Sequence, residues 1–198
     1  MSPTRTAEHP IQAQFTERWS PRAFTGEALP LATLQSLFEA ARWAPSAFNA
    51  QPWRFVYGLA GTPAFATLFD TLAPANQAWA HRAGALVAVI SATQFTAAGK
   101  TEPQALGSHA FDAGAAWALL ALQAQALGWH THAMGGFDRD RLRTALGVPE
   151  THALQAMVAI GRLGDAATLP EALRAREVPS PRRPQTEWAA EGRFSFGG

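Results

Sequence analysis

The sequence predicts a β-sheet covered by helices, and three observations carry that reading. Leu86-Val87-Ala88-Val89-Ile90 is a continuous apolar run of strand length, as in a strand buried on both faces. Shorter strand-like runs, Arg54-Phe55-Val56-Tyr57 and Ala153 to Ile160, alternate with segments of helical period. Ser108 to Leu127 is the longest helical signal and is apolar nearly all round, so it belongs in a core or in an oligomer interface. Helices and strands mixed in this way pack as a sheet with helices laid on it. Periodicity alone leaves the strand order open.

The elements follow in order. Ile11 and Phe15 stand at i, i+4, which predicts a short amphipathic helix over residues 9–18, ended by Ser20-Pro21. Pro30 suits a first helical turn, and Leu31, Leu34, Leu37, Phe38 and Ala41 mark one face of the helix it opens. Pro45 stops that helix, and Pro52 sets the approach to a strand at 54–59. Thr62-Pro63 reads as an N-cap and N1 pair, with Phe65, Leu68, Phe69 and Leu72 continuing the helix. Pro74-Ala75-Asn76-Gln77 breaks the pattern, and a short helix carries Trp79.

Residues 96–107 are polar and contain glycine, so they form a surface loop. In the long helix, Phe111, Ala115, Leu119, Leu122 and Ala126 share one side, and Gly114 points to close packing there. Gly128 is its natural C′ residue. Trp129 to Met134 alternates weakly, as a strand does. Asp138 caps a helix with Leu142, Ala145 and Leu146 on its apolar face, ended by Gly147. After the last strand, Leu169-Pro170-Glu171 opens a short helix. The tail, Pro179-Ser180-Pro181-Arg182-Arg183-Pro184, has little core of its own: in a lone subunit it is expected to be disordered, and laid across a partner it would gain order.

Composition narrows the function classes. The 198 residues predict one domain, 1–198, with enough chain to bury a core unaided. There is no cysteine, which excludes disulfides, thiolate chemistry and an iron–sulfur cluster. Net charge is +1 and only 16% of residues are charged, so neither a nucleic-acid footprint nor a solvated tail is indicated. Met1-Ser2-Pro3-Thr4-Arg5-Thr6 shows no signal-peptide pattern, and no apolar run is long enough to span a bilayer. The expected location is cytoplasmic.

Two polar stretches stand apart from the core pattern. Between Pro45 and Pro52 the backbone cannot pair regularly. Its free groups, with Ser46, Asn49 and Gln51, can face a planar polar ligand, while Trp43, Phe48 and Trp53 form apolar walls. A helix-to-strand loop with aromatic packing explains the same residues. Earlier, Arg18, Ser20 and Arg22 place two forked guanidiniums around a hydroxyl, which is either a phosphate grip or a solvated basic turn.

Three blocks resemble the FMN-dependent nitroreductase family, in the family's order. Ala44-Pro45-Ser46-Ala47-Phe48-Asn49-Ala50-Gln51-Pro52-Trp53 resembles its flavin-edge motif. Arg18-Trp19-Ser20-Pro21-Arg22-Ala23-Phe24 resembles its N-terminal signature, and Met134-Gly135-Gly136-Phe137-Asp138 its Gly-Gly-Phe-Asp turn. The resemblance implies an α+β fold with a central, mostly antiparallel four-stranded sheet flanked by helices. It also implies a homodimer, with a C-terminal arm of about residues 165–198 wrapping the partner subunit and donating a fifth strand. The implied activity is FMN-dependent transfer of hydride from NADH or NADPH, by a ping-pong route, to a nitroaromatic, quinone or activated alkene. A flavin-binding or flavin-consuming protein without that turnover is the alternative.

The same resemblance assigns residues. Arg18 and Ser20, joined by Arg182 or Arg183, serve the phosphate. Trp19 stands where the family often has Arg or His, which removes one positive charge there. Arg22 and Asn76 match positions at the pyrimidine edge of the ring. The turn at Met134, Gly135 and Gly136 brings backbone N–H groups to the ring, since glycine has no Cβ. Pro45, Ser46 and Ala47 line the ring from the partner side, with Asn49 and Gln51 in the same loop. No side chain needs to be an acid or nucleophile, because a flavin carries the chemistry.

Other chemistries lack their signatures. There is no Gly-x-Gly-x-x-Gly after a strand, no Walker loop, no His-Glu-x-x-His and no nucleophile elbow. His130-x-His132 puts two imidazoles on one strand face, and His109 or His152 would have to complete a metal site. Histidines that are merely polar, or that support their neighbours, explain the pattern as well.

Overall fold

The computed structural model describes residues 5–196. Met1 to Thr4, on which part of the leader expectation rests, and Gly197 and Gly198, the end of the expected arm, lie outside them. The helices are α1 (Ala13–Glu17), α2 (Leu31–Arg42), α3 (Pro63–Phe69), α4 (Pro74–Ala80), α5 (His109–Ala126), α6 (Arg139–Leu146) and α7 (Glu171–Arg174). The strands are β1 (Trp53–Leu59), β2 (Ala85–Ala92), β3 (Gln94–Phe95), β4 (Gln104–Ala105), β5 (His130–Met134) and β6 (His152–Gly161).

The central sheet has four strands in the order β1-β2-β6-β5, every pair antiparallel. Trp53 faces Ser91 and Leu59 faces Ala85 across β1 and β2. The β2–β6 register shifts at Val89/Ile90, a bulge. β3 and β4 form a small separate hairpin, and β4 falls in the stretch 96–107 expected to be a plain loop.

The sheet separates two apolar layers, and β2 feeds both. Leu86, Ala88 and Ile90 join Phe24, Leu68, Trp79, Met134, Leu142 and Met157 on one side. Ala85, Val87 and Val89 join Leu34, Leu37, Ala116, Leu120, Val158 and Ile160 on the other. Alternate side chains leave opposite faces of a strand, so burial on both sides produces the unbroken apolar run.

Local signals set the ends of the helices. Thr62 accepts the Phe65 N–H at 3.2 Å and Asp138 accepts the Arg141 N–H at 3.0 Å. Such caps contribute about 1 kcal/mol each. Gly147 ends α6 with φ at 63°. α2 stops at Arg42, ahead of Pro45.

Two expectations change. α1 has five residues and buries none of them, so the pair Ile11 and Phe15 does not make a core face. In α5 the buried side is Ala113, Ala116, Leu120, Ala121 and Ala124, whereas Phe111 is 82% exposed. The small alanines let the helix lie close to the sheet and α2, which the larger residues on its other side would prevent. A Cβ on Gly114 would meet nothing within 4 Å, so no close packing explains that glycine within this chain. No helix among the described residues is long and apolar enough to cross a membrane.

Candidate functional site

The segment after α1 is extended and alternates between surface and core. Ala23 and Phe24 are buried, and Phe24 packs on Trp79 with ring centroids 6.0 Å apart. Backbone bonds from Thr25 N–H to the Arg162 carbonyl and from Gly164 N–H to the Ala23 carbonyl fasten it to the end of β6. With the apolar pair buried, Arg18, Ser20 and Arg22 are left to line a surface cavity of about 480 Å³.

That cavity is strongly cationic. Arg5, Arg18, Arg22, Arg176 and Arg182 all line it, together with Trp19, Ser20 and His132. Arg18 Nη1 lies 3.4 Å from Ser20 Oγ. Burial, then the charges of Arg182 and Arg5, push the Arg18 pKa down. Burial and Arg176 do the same to Arg22, and Glu177 opposes them. Like charges crowded in a half-buried cleft repel one another, and a bound anion relieves that repulsion.

Glu177 organises the floor. Its Oε1 accepts the Arg22 N–H at 2.6 Å and the Ala23 N–H at 2.8 Å. Its Oε2 is 3.8 Å from Arg22 Nη1, and the side chain is almost wholly buried. His132, on β5, donates from Nδ1 to the Pro21 carbonyl at 3.0 Å, because a carbonyl can only accept. Its ring also packs on Trp79, 4.7 Å away. Burial pushes its pKa down.

The Gly135-Gly136 turn lies beside α4. Asn76 Nδ2 donates to the Gly136 carbonyl at 2.9 Å, and Ala73 N–H donates to the same oxygen at 3.0 Å. A Cβ on Gly136 would sit 3.0 Å from Asn76 Nδ2, whereas one on Gly135 would meet nothing within 4 Å. Both glycines are exposed, while Met134 is buried in the core, so the side chain of Met134 is closed to a ligand.

The Pro45–Gln51 loop is held in an unusual conformation. Phe48, Asn49 and Gln51 have φ of 55°, 53° and 47°. Non-glycine residues there cost about 1–2 kcal/mol each, least for asparagine. The surrounding bonds fix the loop. Ala47 N–H donates to Asp112 Oδ2 at 3.2 Å, and Gln51 N–H donates to Ser46 Oγ at 3.0 Å. Asp112 is buried on α5 and also accepts from Ser108 Oγ at 2.9 Å.

The predicted residues therefore fall into separate groups. Arg18, Trp19, Ser20, Arg22 and Arg182 share the arginine cavity. Arg183 does not line it; it lines a neighbouring groove with Ile11, Phe15 and Trp188, and its Nε lies 3.9 Å from Glu187. Asn76 and Gly136 are joined to each other. None of Pro45, Ser46, Ala47, Asn49 or Gln51 lines the arginine cavity. Sequence reading missed Arg5, Arg176, Glu177 and Asp112, which reach their sites through long-range packing and belong to no local motif.

The histidines go elsewhere than to a common centre. His109 Nδ1 is 2.8 Å from Ser91 Oγ, which also accepts from Gln155 Nε2 at 2.8 Å. Ser91 is 0% exposed, so this pair cannot meet a substrate as a nucleophile and base. His152 Nδ1 lies 3.1 Å from Thr151 Oγ1. No three metal-ligating groups converge among the described residues.

Comparison with known proteins adds to this geometry. The profile of the Nitroreductase family matches residues 15–57 and 59–162. An uncharacterized 15.4 kDa protein of Mycolicibacterium smegmatis is 37% identical over 138 residues, covering 68% of this chain and 86% of that protein. A protein of Thermus thermophilus named NADH dehydrogenase is 29% identical over 171 residues, covering 73% of this chain and 82% of that protein. A crystal structure described as an oxidoreductase containing FMN superposes with a TM-score of 0.94 at 44% identity, covering 98% of this chain and 97% of that one.

Proposed function

Because this chain belongs to the nitroreductase family, we propose that it is an FMN-dependent oxidoreductase that takes a hydride from NADH or NADPH and passes it to a small acceptor. The arginine cavity carries the proposal: five arginines line a cleft together with Ser20 and Ser180, and the buried carboxylate of Glu177 is tied to the backbone beneath it. Such a site fits a phosphate close to a dianion. The FMN-containing relative at 44% identity supports that choice of anion.

In this reading Arg18, Ser20 and Arg182 hold the phosphate, with Trp19 forming a wall. Arg22, fixed by Glu177, sets a cation further along the cofactor. Asn76 spends its amide N–H on Gly136 and keeps its carbonyl oxygen free for the ring edge. Gly135 and Gly136 offer backbone N–H groups without a side chain in the way. FMN, when bound, supplies hydride acceptance and donation at its N5. The protein's own part is to grip, orient and exclude water.

We place Pro45, Ser46, Ala47, Asn49 and Gln51 on the far side of the ring, contributed by a second copy of the chain. Their separation from the arginine cavity supports a site shared between two subunits, as does the exposed apolar side of α5 around Phe111 and Gly114. The end of the arm of about residues 165–198, beyond the Glu177 and Arg182 that serve this chain's own cavity, then wraps the partner. The acceptors this site suits are nitroaromatics, quinones and activated alkenes, and the protein works in the cytoplasm.

Anaerobic mixing of the FMN-loaded protein with NADH and with NADPH tests the proposal. Rapid bleaching of the flavin band, reversed by an acceptor, is expected. A flavin band that persists with both nicotinamides points to a flavin binder without turnover. Protein that stays colourless in excess FMN overturns the proposal outright.

A further inference from the structure

A second cavity, of about 540 Å³, lies outside the arginine cluster. Phe48, Asn49, Arg54, Gln94, Phe95 and Thr96 are among the residues that line it. Its volume is that of a small-molecule site. It touches the Pro45–Gln51 loop on one side and the β3–β4 hairpin on the other.

The aromatic pair is built, not incidental. Phe48 and Phe95 stack with centroids 5.2 Å apart and ring planes 12° from parallel. Phe48 is nevertheless 82% exposed, so one face of its ring is open. Its left-handed backbone is strained, and the bonds from Ala47 to Asp112 and from Gln51 to Ser46 hold the loop on both sides of it. An exposed phenylalanine held at such a cost, in the loop placed above beside the partner's flavin ring, is a mark of a ligand surface at that shared site rather than of packing within the chain.

Arg54 supplies a charge at the same cavity. Its Nη1 donates to the carbonyls of Gln51 at 3.0 Å and Trp53 at 2.8 Å, which fixes the guanidinium. Nε and Nη2 donate to no group among the described residues. Those two atoms form the edge that takes a carboxylate through paired bonds. Among the described residues no Asp or Glu lines the cavity, so no carboxylate there competes for them.

We propose that the Phe48–Phe95 pair and Arg54 form a binding subsite for planar aromatic carboxylates, the ring stacking on Phe48 and the carboxylate meeting the open edge of Arg54. The subsite would make aromatic anions the favoured acceptor class, and that role rests on the oxidoreductase reading above. The binding itself does not.

Calorimetric titration of the protein with naphthoate and with its neutral isostere naphthamide tests the subsite. Naphthoate binds about tenfold more tightly. Arg54→Gln removes that preference, Arg54→Lys keeps part of it, and Phe48→Ala weakens both ligands. Arg18→Gln leaves the preference intact. Equal binding of the two ligands by the wild-type protein overturns the proposal. So does a preference that survives Arg54→Gln but is lost in Arg18→Gln, which would place the anion in the arginine cavity. Flavin reduction by NADH alongside a failed titration would refute this subsite alone, whereas a successful titration with no flavin reduction would refute only the oxidoreductase reading.

Discussion

Glu177→Ala removes the carboxylate that pins the loop bearing Arg18, Ser20 and Arg22. Oε1 accepts two backbone N–H groups, from Arg22 at 2.6 Å and Ala23 at 2.8 Å. Orphaning a buried donor costs about 1–3 kcal/mol. Ala23 is buried and cannot find water, while Arg22 is half-buried and partly can, so the two together cost about 2–4 kcal/mol. Urea unfolding followed by tryptophan fluorescence, at one fixed protein concentration, reads this as a midpoint lower by about 1–2 M. FMN titration of the same protein reads the site: affinity falls about tenfold or more as the guanidiniums lose their relative positions. Glu177→Gln keeps an oxygen acceptor and loses about 1 kcal/mol. An Ala variant with the wild-type midpoint and the wild-type FMN affinity would refute the reasoning, since the pinning bonds would then hold nothing.

Other perturbations have equally definite outcomes. Arg18→Ala weakens FMN retention more than Arg22→Ala does, while Arg22→Ala slows flavin reduction more; equilibrium titration and stopped-flow absorbance give the two rankings. Burial pushes His130 and His132 below the ordinary value of 6.5. The unfolded chain therefore binds more protons than the folded one once pH drops below about 6.5, so the stability is full above that value and is lost below it. Urea midpoints across that window should fall with acidification, and less steeply in His132→Gln. Leu37→Ala, at a fully buried position between α2 and α5, lowers stability by about 2–5 kcal/mol in the same unfolding assay. Gly84→Ala places a Cβ 2.5 Å from the Glu27 carbonyl oxygen, a backbone atom that cannot swing aside, and costs about 2–3 kcal/mol by thermal or urea unfolding.

What the sequence disclosed was local. The β2 run announced a strand buried on both faces because each of its residues belongs to one of two apolar layers. Thr62, Asp138 and Gly147 marked helix ends because a cap needs only its own turn. The Arg18–Arg22 stretch was recognisable because two arginines flank a serine there and the block resembles a family signature. The rest depends on distance along the chain. Glu177 meets Arg22 across 155 positions, and nothing near either residue foretells it. Asp112 reads as a helix-start acid until the Ala47 N–H is seen to reach it. The buried side of α5 stayed open because an alanine-rich helix has no single heavy stripe, and its small residues face inward. The left-handed backbone at Phe48 was hidden because phenylalanine is an unlikely residue to adopt it.

Native mass spectrometry of the protein purified with FMN tests the central claim most directly, namely that two chains hold the cofactor between them. The expected species has two chains and two FMN, and it loses both cofactors when it is driven apart into single chains. A single chain that carries FMN by itself, or a dimer that takes up none in excess FMN, would contradict that claim.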